Sequence, residues 1–275
     1  MGYLRRVPAP PLDTLVEAIW DWDMPPAAGH RFERVLPVPG SNLIINLHED
    51  STRVYADDGT RRCRRASGSV IGGPCRHSWI IDTIEQIRVM GVNFRPGGAH
   101  ALTGLAAEEF GQGDIDLEDL YGADTRLLRE RLLHAPGPHR RLAVLEGWLR
   151  RRVRESSRHP LVAHATAVLD RCPQAVRIGD LRRELDCSAT RLGALFRRHV
   201  GMTPKRYARL MRFRAVVACA WPQKSVDWSR IAADGGFSDQ AHLNHEFRAF
   251  AGVTPGAFMA SRGPYPNHLP LDWTP

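Results

Sequence analysis

Residues 192–207, LGALFRRHVGMTPKRY, and residues 243–258, LNHEFRAFAGVTPGAF, align without a gap. They share Leu192/Leu243, Phe196/Phe247, Arg197/Arg248, Gly201/Gly252, Thr203/Thr254, Pro204/Pro255 and the aromatic pair Tyr207/Phe258. One supersecondary unit is therefore present twice. Leucine and phenylalanine four residues apart bury one face of a helix, and the glycine supplies the positive φ that ends it. Threonine then caps a new helix, and proline at its first position loses no hydrogen bond there. Each copy reads as helix, sharp break, helix.

A short helix and a tight corner precede each copy, LRRELDCS (181–188) in the first and IAADGGFSD (231–239) in the second. A small residue at the corner lets two helices cross steeply. Ser188 and Ser238 stand where the following helix would need an N-cap. Charge points the same way. The 275 residues carry a net charge of +8. Residues 1–155 hold 21 basic and 21 acidic side chains, whereas 156–275 hold 17 basic and 9 acidic ones. The whole excess thus lies with the repeat, as expected for a polyanionic partner, of which nucleic acid is the commonest.

The stretch IAADGGFSDQAHLNHEFRAFAGVTPGAF resembles the C-terminal signature of AraC/XylS-type transcription factors, and the resemblance spans about residues 160–262. It implies seven helices in two helix-turn-helix subdomains joined by a long helix, here 204–220, with both recognition helices facing one side of double-stranded DNA. RNA polymerase would be a further partner if the protein is an activator. The first recognition helix, about 188–199, would present Thr190, Gly193 and Ala194 to bases. Glycine and alanine have no hydrogen-bonding side chain, so Thr190 and the adjacent Arg191 are its candidate base contacts. The second, about 238–250, would present Gln240, Ala241, His242, Asn244 and His245. Glutamine and asparagine pair with adenine edges and alanine meets a thymine methyl, so most direct readout is expected here. Glu246 is expected to point away. Ser188, Arg197, Arg198, Lys205, Arg206, Ser238 and Arg248 are candidate phosphate contacts, together with Arg209. Six such contacts would give a log-log salt slope of roughly −5.

Before Arg95 short apolar runs alternate with turn residues: LIINL (43–47), RVYA (53–56), SVIGG (69–73), WIIDT (79–83) and IRVMGVNF (87–94). Helical periodicity takes over from Ala99, in RLLRERLLHA (126–135) and HRRLAVLEGWLRRRV (139–153). The expected fold is α+β. A β-rich sandwich or barrel with trailing helices occupies 1–155, the all-α module 160–262, and an extended tail 263–275. The polar stretch RESSRHP (154–160) is the expected joint. VLPVPGSNLIINLHED and GVNFRPGGA resemble a regulatory subfamily found ahead of AraC-type modules, which implies an effector-binding or dimerising role. Asn46, His77 and Trp79 are candidate pocket residues. Arg95 could receive an anionic small-molecule effector, the alternative being an ion pair that braces its turn. Leu142, Leu145, Leu149 and Val153 form an apolar stripe that suits either a homodimer seam or packing on the chain's own strands.

Other classes fit poorly. The five cysteines are scattered without a CxxC pair, so neither a disulfide framework nor a zinc site is expected. Only Cys63 and Cys75 precede the module, too few for the zinc cluster of a repair methyltransferase fused to such a domain. His30, His48, His77 and His100 lack a metal-ligand pattern. No phosphate loop, nucleophile elbow or HExxH motif is present. The reading is thus not an enzyme, with no cofactor, no metal and no membrane span, and cytoplasmic in location. A ligand-independent DNA-binding protein with an oligomerisation domain stands as the alternative.

Overall fold

The computed structural model describes residues 2–25, 29–111, 113–153 and 158–272. Among the described residues, ten strands and four α-helices make up the N-terminal region. The strands are β1 (Gly2–Arg6), β2 (Val16–Asp23), β3 (Phe32–Val35), β4 (Asn42–Asn46), β5 (Ser51–Ala56), β6 (Cys63–Ser67), β7 (Ser69–Gly72), β8 (Trp79–Asp82), β9 (Arg88–Phe94) and β10 (Asp114–Asp116). Its helices are α1 (Gly98–Thr103), α2 (Leu117–Tyr121), α3 (Ala123–His134) and α4 (Gly137–Arg152). Two antiparallel sheets result. One runs β1-β2-β9-β4-β7-β10, and the other places β3, β8, β5 and β6 side by side.

Period-two alternation selects the buried face of the first sheet. Leu43 and Ile45 on β4, with Met90, Val92 and Phe94 on β9, point into one core, which α3 and α4 cover with Leu128, Leu132, Leu142, Leu145, Trp148 and Leu149. The stripe on α4 is therefore buried within its own chain, and the seam reading is corrected: at 0% exposure Leu142, Leu145 and Leu149 offer a second copy nothing. Arg141, on the same helix, reaches Asp21 of β2 through two hydrogen bonds of 2.5 and 2.7 Å.

Seven helices follow: α5 (Pro160–Arg171), α6 (Ile178–Glu184), α7 (Ala189–Val200), α8 (Pro204–Ala220), α9 (Trp228–Asp234), α10 (Gln240–Ala251) and α11 (Pro255–Ser261). Leu192, Phe196 and Val200 of α7 and Leu243, Phe247 and Phe250 of α10 fall at helical spacing and are all buried. They share one core with α8, whose Phe213 lies 5.0 Å from the Phe247 ring and 5.2 Å from that of Phe250. Tyr207 and Phe258, the aromatic pair of the repeat, are completely buried and close the two units in the same way. Of the stretch read as a joint, residues 154–157 lie outside the described residues.

The stretch read as an extended tail contributes β11 (His268–Leu271), which pairs antiparallel with β3 and completes the second sheet as its edge strand. Glu33 of β3 accepts from His30 and His268, each at 2.7 Å. Leu36 and Leu269 then join the core of the C-terminal helices, so the two regions are stitched together along β3 and β11.

Candidate nucleic-acid interface

The break in each repeat has the anticipated backbone. α7 ends at Gly201 with φ 72° and α10 at Gly252 with φ 70°, a left-handed conformation that costs a residue with a β-carbon about 1 kcal/mol or more. Thr203 accepts from the Arg206 N–H and Thr254 from the Ala257 N–H, each at 3.2 Å, so both following helices are capped alike. Ser188 caps α7 by accepting from the Arg191 N–H at 3.2 Å. At the second corner the cap lies one residue later than expected. Asp239 accepts from the His242 N–H at 2.7 Å, while the Ser238 hydroxyl turns to Asp239 and the His242 ring. A carboxylate at a helix N-terminus also meets the positive end of the dipole, which a hydroxyl does not exploit.

On α7, Thr190, Arg191 and Ala194 are exposed and Gly193 is half-buried. On α10, Gln240, Ala241 and His245 are exposed, with Asn244 half-buried beside them. His242 is held back at the corner. Its Nδ1 faces the Ser238 N–H and hydroxyl, and its ring meets Phe237 edge-on at 5.4 Å.

Among the cations, Arg197, Arg198, Lys205 and Arg248 are exposed. Two others are engaged within the protein. Arg209 binds both carboxylate oxygens of Glu246 at 2.7 Å, so its guanidinium is committed to a neighbour on α10 rather than standing free. Burial pushes the Glu246 carboxyl up, but the Arg209 bonds outweigh it and hold it below the usual range. Arg206 donates to the Arg76 carbonyl at 3.0 Å. Burial, with Arg76 and Arg209 close by, lowers its pKa.

The four candidate effector residues share no hydrogen-bond partner. Asn46 is completely buried and saturated, donating to the carbonyls of Ser51 and Glu85 and accepting from the N–H groups of His48 and Glu49. His77 stands at the boundary with α8, its Nε2 3.5 Å from Arg206. Trp79 is half-buried on β8, in register with Val35 and Ala56. Arg95 donates to the Asp13 carbonyl at 2.9 Å.

Sequence reading missed the contacts that fasten the C-terminal helices to the strands. Arg76 donates to the Gly201 carbonyl at 2.6 Å, the Ala107 N–H to the Arg198 carbonyl at 2.5 Å, and Arg214 to the Pro37 carbonyl at 3.4 Å. Nothing in a sequence period marks such pairs, because their members lie about 90 to 180 positions apart.

His199, on α7, meets the His100 ring at 4.9 Å and the His159 ring at 5.3 Å. Burial, reinforced by His100, His159 and Arg198, depresses its pKa to about 4. The folded value lies below the unfolded one of about 6.5. The neutral ring's contribution is therefore complete above pH 6.5 and is lost as pH falls toward 4. We expect the melting temperature to drop through that window more steeply in the natural protein than in His199→Gln. Parallel profiles would assign the acid sensitivity elsewhere.

Residues 181–261 match a family model described as a helix-turn-helix domain, and residues 4–116 one described as a domain of unknown function (DUF6597). No curated protein matches the chain. ToxT from Vibrio cholerae O395, solved with (E)-4-(8-methylnaphthalen-1-yl)but-3-enoic acid, is similar over 94% of this chain and 99% of its own, at 8% identity and a TM-score of 0.48. ToxT from strain SCE256 with a bound unsaturated fatty acid covers 94% of each chain, at 11% identity and 0.47. A transcriptional regulator of Chromobacterium violaceum, described by its AraC-type DNA-binding domain, covers 38% of this chain and 94% of its own, at 22% identity and 0.35. Among the described residues no helix is long and apolar enough to cross a membrane.

Proposed function

We propose, from the premise that residues 181–261 are an AraC-type helix-turn-helix domain, that this DNA-binding transcription regulator reads two adjacent blocks of duplex DNA with α7 and α10. The carrying observation is the twofold use of one geometry. Each recognition helix is capped at its start, ended by a left-handed glycine, buried along one face and exposed at the opposite face near its N-terminus. In this reading residues 1–155 and 160–262 are the two domains.

Base contacts fall to Gln240, Ala241, Asn244 and His245 on α10 and to Thr190 and Arg191 on α7. Arg197, Arg198, Lys205 and Arg248 are assigned to phosphates. With Arg206 and Arg209 engaged by protein groups, the expected salt slope falls from the six-contact value to about −4. Anisotropy titrations between 50 and 200 mM salt measure it, and a slope of about −5 or steeper would return the two engaged arginines to the phosphates.

A small-molecule effector in the N-terminal region remains part of this reading, but the cavity of about 330 Å³ lined by Leu36, Phe213, Arg214, Val217, Trp221 and Asn267 includes none of Asn46, His77, Trp79 and Arg95. The test of DNA reading comes first. The full chain is mixed with random-sequence duplex DNA, and the bound fraction is sequenced. Two short enriched blocks about one helical turn apart are expected. No enrichment at low salt would overturn the assignment.

A further inference from the structure

One strip of the N-terminal region touches the far ends of both recognition helices. At α7, Arg76 donates to the Gly201 carbonyl at 2.6 Å, and the space a β-carbon on Gly201 would take lies 3.2 Å from Pro74 Cγ and 3.3 Å from the Ala107 carbonyl oxygen. The next residue along the strip, His77, places its Nε2 3.5 Å from Arg206 at the start of α8. Its neighbour Ser78 donates to Asp57 at 2.5 Å. Asp57 is held by Arg34 and Arg61 as well, and lies 3.2 Å from the corresponding space on Gly252. Residues 74–78 with Asp57 thus span the glycine caps of both units, and Arg206 at the start of α8 donates back into the same strip at the Arg76 carbonyl.

The strip suits its place chemically. A helix C-terminus exposes unpaired carbonyls carrying partial negative charge, and a guanidinium satisfies one of them directly. Asp57 would repel the same end if it were bare. Burial pushes its carboxyl up, but the bonds from Arg34, Ser78 and Arg61 outweigh this and hold it below the usual range. Its charge is thereby already matched within the strip. The base-facing residues lie 7 to 12 positions before the glycine caps, roughly 10 to 18 Å away at 1.5 Å per residue. The strip therefore holds the readers without covering what they read.

We propose that Arg76 is a positioning residue that, with Asp57 at the second cap, sets the separation and phase of the two recognition helices, so that the N-terminal region gauges the spacing between the two DNA blocks. The inference rests on the DNA-reading assignment above. α8 alone joins the units covalently at one side, and a second attachment at the helix C-termini converts a hinge into a braced pair. One inserted base pair shifts a block by about 3.4 Å and rotates it by about 35° around the duplex, which a braced pair rejects and a hinged pair tolerates.

The experiment uses the full chain and the duplex enriched by the wild type, together with versions one base pair shorter and longer between the blocks. Wild type is expected to bind the altered spacers about tenfold or more weakly. Arg76→Ala is expected to narrow that ratio to about threefold or less, with Arg76→Lys restoring part of it. If Arg76→Ala unfolds early, Arg76→Gln, which keeps the stem and loses the guanidinium, serves the same comparison. An unchanged spacing ratio in folded variants overturns the gauge and leaves DNA reading intact. Failure of the wild type to enrich any motif overturns the DNA-reading assignment itself.

Discussion

Asp21→Ala is expected to destabilise the protein by about 3–5 kcal/mol, the usual consequence of removing one partner from a buried ion pair. Asp21 is 1% exposed and Arg141 4% exposed. Two hydrogen bonds join them, and a second carboxylate, that of Asp23, is 3.5 Å from the guanidinium. Without Asp21 the Arg141 charge stays between β2 and α4, out of reach of water and without a bidentate partner. Replacing both residues by apolar ones of similar size should cost far less, because no charge is then stranded. Denaturant titration followed by tryptophan fluorescence reads the difference, with Trp20 and Trp22 flanking the site on β2. A loss below about 1 kcal/mol for Asp21→Ala would mean that Arg141 finds water or another partner.

Gln240→Ala/Asn244→Ala is expected to erase sequence discrimination in one of the two DNA blocks and leave the other. Each bidentate amide-to-adenine contact is worth about 1–3 kcal/mol of discrimination, so the double substitution should relax preference at that block by about thirtyfold to ten-thousandfold. The counterpart on α7 is smaller. Gly193 and Ala194 bring no donors, so Thr190→Ala should relax a single position by about tenfold or less. Salt dependence should remain near wild type in both, since neither change removes a cation. The comparison is a repeat of the random-duplex selection with each variant. Equal relaxation of both blocks by the α10 variant would show that α10 does not own one block.

The repeat was legible because its determinants are local. A cap, a stop and an apolar face are all decided within about a turn of helix, so the starts of α7 and α8, the stops at Gly201 and Gly252 and the bounds of α8 follow from neighbours in sequence. The second corner was misread by one residue for a local reason too. Ser238 and Asp239 are both good caps, and the choice depends on the phase of Leu243 and Phe247 against α8. In the N-terminal region the apolar runs of β4, β5, β7, β8 and β9 announced themselves. β1 and β6 did not, because exposed edge strands bury little and carry arginines where a pattern search wants valine.

By itself the sequence determined the duplicated helix-turn-helix, its capping chemistry, the location of the surplus positive charge and the β-rich start. Only the tertiary structure decided which charges are free and how the regions are joined. Arg209 and Glu246 are 37 positions apart, Arg76 and Gly201 are 125 apart, and β11 crosses the length of the chain to pair with β3. Local preferences act over a few residues, where backbone sterics and hydrogen bonding leave few options. Long-range pairing is settled by which surfaces the whole chain brings together, and a guanidinium that could meet a phosphate is committed by whichever carboxylate or carbonyl the fold puts beside it.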